Sequence, residues 1–451
     1  MNPQLPGFRA LRRSARPLWL ACALVGLCLL PTPARAGGPK GAPGVPDKKL
    51  KKAIEEAIEK GAAFLRSQQK EFTGQIGSVT HEGKAHYEIG TTALAGLALL
   101  AAGDQPAHLR KPKKKKRKGE EAEVEKLHVD KAFDYCRKKD TEASQGTART
   151  TYNTGTLLMF VTEYYRVVDK KKKKRGRTVT KEQARNPCSL PPDVVLWIKD
   201  MAMFLVNTQE EAGGFGYPKP REDLSNTQYA LLGLRAAREC GGVVPGRVFK
   251  RVIERLLAIQ EQDGPKVLRT LGGEKKGEPV YKIDGGDKAR GWSYMEAPLN
   301  ATGSMTTAGI ACMAICHDAL TKPRKLPIYD VKLRGKVKRS VQDAFAWLDV
   351  NFTVERNPGH GAPPWHYYYL YGLERAAVFA NRVLIGEHDW YLEGARYLVS
   401  KQGGDGSWNT GNLGGKEYKP SAVLDTAWAI LFLKKATRPL EPIPQPVVTP
   451  K

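Results

Sequence analysis

Cysteine is scarce in this chain, seven residues in 451. Cys22 and Cys28 fall in an N-terminal segment that reads as a signal peptide, which leaves Cys136, Cys188, Cys240, Cys312 and Cys316. An odd, scattered set is no disulfide framework, so stability must come from packing. Long apolar runs are missing too. The longest, Leu18 to Leu30, holds thirteen residues and is too short for an ordinary membrane-spanning helix. Acidic residues are outnumbered, 47 against 73 Lys and Arg, for a formal charge of +26.

That charge is unevenly held. Residues 1–36 carry Arg9, Arg12, Arg13 and Arg16, then the apolar run, then Ala34-Arg35-Ala36 as a small-residue cleavage site, the signature of a secretory signal. Twin arginines at 12 and 13 lack the large apolar residues of a folded-export signal, and Leu27 before Cys28 is too large for a lipoprotein site. Removing the five arginines of this segment leaves 68 basic against 47 acidic residues, or +21. Lys111 to Lys118 and Lys170 to Arg177 carry seven positive charges each, so +7 remains for everything else. The basicity belongs to two loops. Tracts of this kind are solvated, or they touch a polyanion such as lipopolysaccharide or acidic glycan; export disfavours nucleic acid.

What is abundant is self-similarity. Phe64-Leu65 with Gln69 returns as Phe204-Leu205 with Gln209 and as Tyr397-Leu398 with Gln402. Weaker copies are Leu256 with Gln260, and Trp347-Leu348 with Phe352 in place of Gln. Glycine and aromatic turns follow: Gly213 to Tyr217, Gly291 to Tyr294, and Gly404 to Trp408. A second helix, rich in small residues, opens at Thr91-Thr92, Asn153-Thr154, Asn226-Thr227, Thr306-Thr307 and Asp425-Thr426, with a divergent copy at His366-Tyr367. Six units therefore repeat through positions 92, 154, 227, 307, 367 and 426. The spacing predicts an all-α (α/α)6 toroid over residues 51–437, with outer helices carrying Gln and an inner ring buried on all sides. A 37–50 linker precedes it, and a proline-rich tail, 438–451, follows.

Gln402-Gly403-Gly404-Asp405-Gly406-Ser407-Trp408 resembles the Gln-x-x-x-Gly-x-Trp core of the repeat shared by squalene cyclases and protein prenyltransferase β subunits, and Gln209 to Phe215 is similar with Phe for Trp. The resemblance implies a terpenoid cyclase-like toroid. It does not carry the chemistry over. The cyclase acid motif, Asp-x-Asp-Asp-Thr-Ala, falls on Ala422 to Ala427, where Leu424 replaces the catalytic acid and only Asp425 remains. Asp425, like Thr91, Asn153, Asn226 and Thr306, reads as a helix N-cap. Asp134-Tyr135-Cys136 spells part of the prenyltransferase zinc site but lacks its histidine, and the Cys-Gly-Glu-Gln of complement-like thioester domains is absent. Cys312 and Cys316 share an inner helix, but His317 points away from them, so no metal and no cofactor is expected.

The residues left to carry a site cluster in the fifth unit. His366 and Tyr367 replace the usual Thr or Asn and are expected at the mouth of the cavity, as acid and base. Asp425 is a third catalytic candidate. Trp292, Tyr294, Trp365 and Trp408 are candidate ligand contacts, with Arg290 or Lys416 to neutralise a uronate. Two functions stay open: an exported protein, periplasmic or secreted, that binds a small molecule, lipid or glycan in its cavity, or an enzyme on a glycan or isoprenoid lipid.

Overall fold

A computed structural model describes residues 43–81, 84–110, 126–146, 149–166, 190–217, 221–275, 278–295, 300–322, 326–360, 365–410, 421–440 and 443, with side chains outside 80–86 and 268–286. The signal segment, both lysine tracts, Cys188, Lys416 and most of the proline-rich tail lie outside these residues.

Among the described residues twelve α-helices alternate in role. The outer ones are α1 (Lys48–Ser67), α3 (His128–Ser144), α5 (Pro192–Asn207), α7 (Gly246–Ile259), α9 (Val331–Val350) and α11 (Trp390–Lys401). The inner ones are α2 (Glu88–Ala102), α4 (Thr151–Tyr164), α6 (Leu224–Glu239), α8 (Gly303–Thr321), α10 (His366–Phe379) and α12 (Ala422–Leu433). Their sequences dictate the division. In α1 the buried residues Ile54, Ala57, Ile58, Gly61, Ala62 and Leu65 form one stripe, while α8 is buried on nearly every face. Each inner helix packs on the next, α2 on α4, then α6, α8, α10 and α12, and α12 packs back on α2. This cyclic order makes the (α/α)6 toroid. Small residues let the ring draw tight: at the crossing of α4 and α6, a Cβ added to Gly155 would lie 2.3 Å from the Tyr229 carbonyl oxygen.

The recurring glutamine is a clamp between outer helices. Its Nε2 donates once to its own turn and once to the next outer helix: Gln69 to Gly74 O and His128 O, Gln209 to Gly213 O and Val248 O, Gln260 to Arg290 O and Ser340 O. Gln402 donates to Gly406 O and to Ala57 O of α1, which shuts the ring. The turn glycines Gly74, Gly213 and Gly406 have φ of +82°, +110° and +86°, and a Cβ there would strike the next outer helix at Lys131, Arg251 or Lys60.

Three sequence expectations shift. The N-caps lie one turn earlier than expected: Thr150, Asp223, Thr302 and Ser421 accept from the backbone N–H of Asn153, Asn226, Met305 and Leu424. Asn153, Asn226, Thr306 and Asp425 are therefore already helical, and Thr91 follows a cap at Tyr87. The threonine that recurs instead receives the turn: Thr92, Thr227 and Thr426 accept from Ile76, Phe215 and Trp408 N–H. Its counterpart in the fourth unit is Thr306, which accepts from Trp292, so that unit is phased one residue earlier than the spacing suggested. The long interval before it holds an antiparallel ribbon, β5 (Lys266–Lys275) with β6 (Glu278–Lys288). Two shorter pairs, β1 (Val79–His81) with β2 (Lys84–His86) and β3 (Phe215–Gly216) with β4 (Glu222–Asp223), lie in the turns of the first and third units. No helix among the described residues is long and apolar enough to cross a membrane.

Candidate functional site

The centre of the ring is filled at one end and open at the other. The N-terminal ends of the inner helices supply a continuous aromatic plug. Tyr87 meets Tyr152 edge-on with centroids 5.9 Å apart, Tyr152 meets Tyr229 at 5.2 Å, Tyr229 stacks on Tyr368 at 6.2 Å, and Tyr368 meets Trp428 at 5.3 Å. Trp365 covers the last two. Tyr87 and Trp365 cap α2 and α10 in the left-handed region, with φ of 53° and 73°, a strained setting for aromatic residues. Aromatic pairs at these distances are worth about 0.5–1.5 kcal/mol each beyond their burial.

At the C-terminal ends of the same helices lies a cavity of about 320 Å³. Five of the six inner helices line it, through Leu97, Met159, Leu232, Tyr371 and Leu431 among others, and the segment Ala436, Thr437 and Arg438 closes one side. Its wall carries five cations, Arg166, Arg235, Arg375, Lys434 and Arg438, against two carboxylates, Glu163 and Glu239, a net of +3. The acids are shared. Glu163 takes Arg166 at 2.9 Å and Arg438 at 2.6 Å; Glu239 takes Arg166 at 2.5 Å and Arg235 at 3.0 Å. Helix C-termini gather negative partial charge, which accounts for cations in the last turns and just beyond. Glu374, fully buried on α10, accepts from Thr437 N–H at 3.0 Å and Thr437 Oγ1 at 2.5 Å, and so pins that segment. Burial pushes its carboxyl up to about 7, against the pull of those hydrogen bonds.

None of the eight described residues singled out from sequence lines this cavity. His366 opens α10, 5% exposed, with Nε2 2.8 Å from Val354 O. Since a carbonyl can only accept, that nitrogen carries the hydrogen. Burial lowers its pKa to about 4, so the ring is neutral at pH 7. His366 stacks on Tyr367 and lies edge-on to Tyr397, a packed setting in place of the expected cavity mouth. Asp425 receives Thr410 N–H and Oγ1 on Oδ2 at 2.9 and 2.5 Å, while its buried Oδ1 has no partner among the described residues. Desolvation raises its carboxyl to about 7.

Trp292 and Trp408 are wholly buried, each indole N–H donated 2.9 Å to a carbonyl of its own outer helix, Leu256 O and Leu398 O. Arg290 grips Asp343 at 2.6 Å and Glu261 O at 3.3 Å. Tyr294 faces Tyr217, hydroxyl to hydroxyl at 3.4 Å, and Trp365 belongs to the plug. Cys136, Cys240, Cys312 and Cys316 are buried free thiols, and His317 Nδ1 lies 2.8 Å from the Tyr329 hydroxyl. Among the described residues no group of three or more His, Cys, Asp or Glu could hold a metal ion.

Sequence reasoning missed Arg375. Its side chain is 1% exposed on a helix otherwise made of aromatic, aliphatic and small residues apart from His366 and Glu374. A charge at that depth in an apolar inner helix was the available signal.

No protein-family model matches the sequence, and no curated protein matches it. Among solved structures, the chain is similar to a variant of the type II terpene cyclase MstE from Scytonema in complex with geranylgeranyl dihydroxybenzoate, at 10% identity and a TM-score of 0.47, over 86% of this chain and 98% of that one. It is similar to the apo form of MstE at 11% identity and a TM-score of 0.47, over 85% of this chain and 99% of that one.

Proposed function

We propose that this chain is an exported toroid that holds a small molecule in the cavity among the C-terminal ends of its inner helices. One observation carries the reading: aromatic side chains fill the N-terminal half of the ring, while about 320 Å³ stays open at the other end. That volume sits at the lower limit of ordinary ligand pockets, and its walls mix apolar side chains with a few convergent polar groups, as such pockets do. The Leu424 position, where the cyclase motif has its acid, speaks against alkene protonation by that route.

A neutral dye tests the reading. N-phenyl-1-naphthylamine, which fluoresces in apolar surroundings, should bind the purified mature protein saturably. Ala236→Trp, which fills the cavity from α6, should abolish that binding while circular dichroism stays that of the wild type. Equal binding by the variant sinks the cavity reading.

The enzyme reading has one observation in its favour. Burial first, then the neighbouring Tyr397 and Asp425, raises the Tyr367 hydroxyl above its ordinary value, and an Asp425 carboxyl raised to about 7 can hold or release a proton near neutrality. Contact with a polyanion through Lys111 to Lys118 and Lys170 to Arg177 is a separate proposal for the exported chain, resting on charge density alone.

A further inference from the structure

We propose that the ligand of this cavity is an oxyanion, a carboxylate or phosphate on a small apolar body, seated on Arg375. The inference rests on the cavity reading above and concerns what the cavity selects.

The argument is a surplus of donors. Arg375 lines the cavity and is 1% exposed. Its Nη2 donates to Gln228 Oε1 at 3.1 Å, and its Cζ lies 3.9 Å from the Tyr371 ring centre. Its Nε and Nη1 meet no acceptor in hydrogen-bond geometry among the described residues, and Tyr229 is its second aromatic neighbour, the ring centre 5.9 Å from Cζ. Gln228 Oε1 also accepts the Tyr368 hydroxyl at 2.9 Å, which fixes the amide with Nε2 as a second donor left without a partner. Arg235 Nε, on the same wall, is a third such group. No carboxylate is free to answer them. Glu374, the neighbour in sequence, has both oxygens on Thr437, and Glu163 and Glu239 are shared among Arg166, Arg235 and Arg438.

A buried guanidinium with no carboxylate hydrogen-bonded to it is among the costlier arrangements in a protein interior, and unpaired buried donors call for a partner of acceptor character. Helix ends do not explain this one, because Arg375 precedes the last turn of α10 and its acceptor is a side chain. An oxyanion supplies two or three acceptor oxygens and the missing charge together. Leu97, Leu100, Met159, Leu232 and Leu431 would then surround the apolar remainder. A neutral or cationic molecule of the same shape leaves the Arg375 donors unmet.

Probes of one chain length isolate the head group. Octanoate, octyl phosphate, octan-1-ol and octylamine are titrated against the purified protein by calorimetry and by displacement of N-phenyl-1-naphthylamine, for the wild type, Arg375→Met and Arg375→Lys. A charge-assisted hydrogen bond implies that one or both anions bind the wild type at least about 10-fold more tightly than the alcohol, with the amine weakest. Arg375→Met, with circular dichroism confirming its fold, should level anion and alcohol; Arg375→Lys, which keeps charge without the planar fork, should restore part of the preference. Dye binding with no preference for anions overturns the inference and leaves the cavity reading standing. Anion preference that survives in a folded Arg375→Met overturns it too. Failure of the dye and of all four probes overturns both.

Discussion

Burial of single acids ties the stability of this fold to pH. Asp425 has an ordinary value of 3.8 and is raised to about 7 by desolvation. Between those values the folded chain holds a proton that the unfolded chain has released, so stability from this group is full below about pH 4, falls as pH rises, and is lost once pH passes about 7. Asp425→Asn keeps an acceptor for Thr410 and cannot ionise. Thermal denaturation from pH 4 to 8 should show the wild type losing stability relative to Asp425→Asn as pH rises from about 4 to about 7, with the gap constant above that. A gap that stays constant over the whole range means the carboxyl titrates normally. Asp425 was visible in sequence because it survives from a familiar motif, although its expected capping role belongs to Ser421. Arg375 was legible only as a misplaced charge. Its meaning depends on which neighbours lack free carboxylates, and no linear pattern records that.

At the scale of helices and turns, the repeat was the most legible feature, because packing requires the same residues wherever a hairpin meets the next. Gln, turn glycine and turn aromatic recur since each Gln must satisfy two carbonyls, and each turn must pass within touch of the next outer helix. Gln209→Leu leaves Gly213 O and Val248 O without this donor, at a cost of about 1–3 kcal/mol. Trp408→Ala empties a wholly buried site against Gly61 and Ile430 and should cost about 3–5 kcal/mol. Urea denaturation of both variants measures these losses, and a change below 0.5 kcal/mol in either, within the range of an ordinary surface substitution, would contradict the clamp role of Gln209 or the packing role of Trp408. What sequence placed less well were positions decided by contact. Thr306 and Thr307 are adjacent and alike, and only the hydrogen bond from Trp292 distinguishes them. The fifth unit lacks both marks: Phe352, where Gln would stand, instead stacks on His388 at 4.2 Å, and no threonine opens α10. The ribbon of β5 and β6 was hidden because a two-stranded insertion leaves the helical period on either side intact.

For the whole molecule the decisive contact is the last one. Open arrays of helical hairpins fray at their ends, because a terminal repeat has a neighbour on one side only. Here α1 has neighbours on both: it packs on α2 within its own hairpin and on α11 and α12 from the other end of the chain. Gln402 donates across to Ala57 O at 2.8 Å, and the Trp408 ring presses on Gly61. The first hairpin should therefore open only with the whole ring. Amide exchange followed by mass spectrometry makes this measurable: protection in the core of α1, around Ala57 to Leu65, should match that of α7 within about 10-fold, since both report global opening. Gln402→Leu removes the closing clamp, and its effect should be polarised, with α1 and α11 exchanging faster than α5 and α7. Protection that is already 100-fold lower in α1 than in α7 in the wild type would mean that the ends fray independently. The toroid would then behave as an open array bent into a circle, its closing contact adding little.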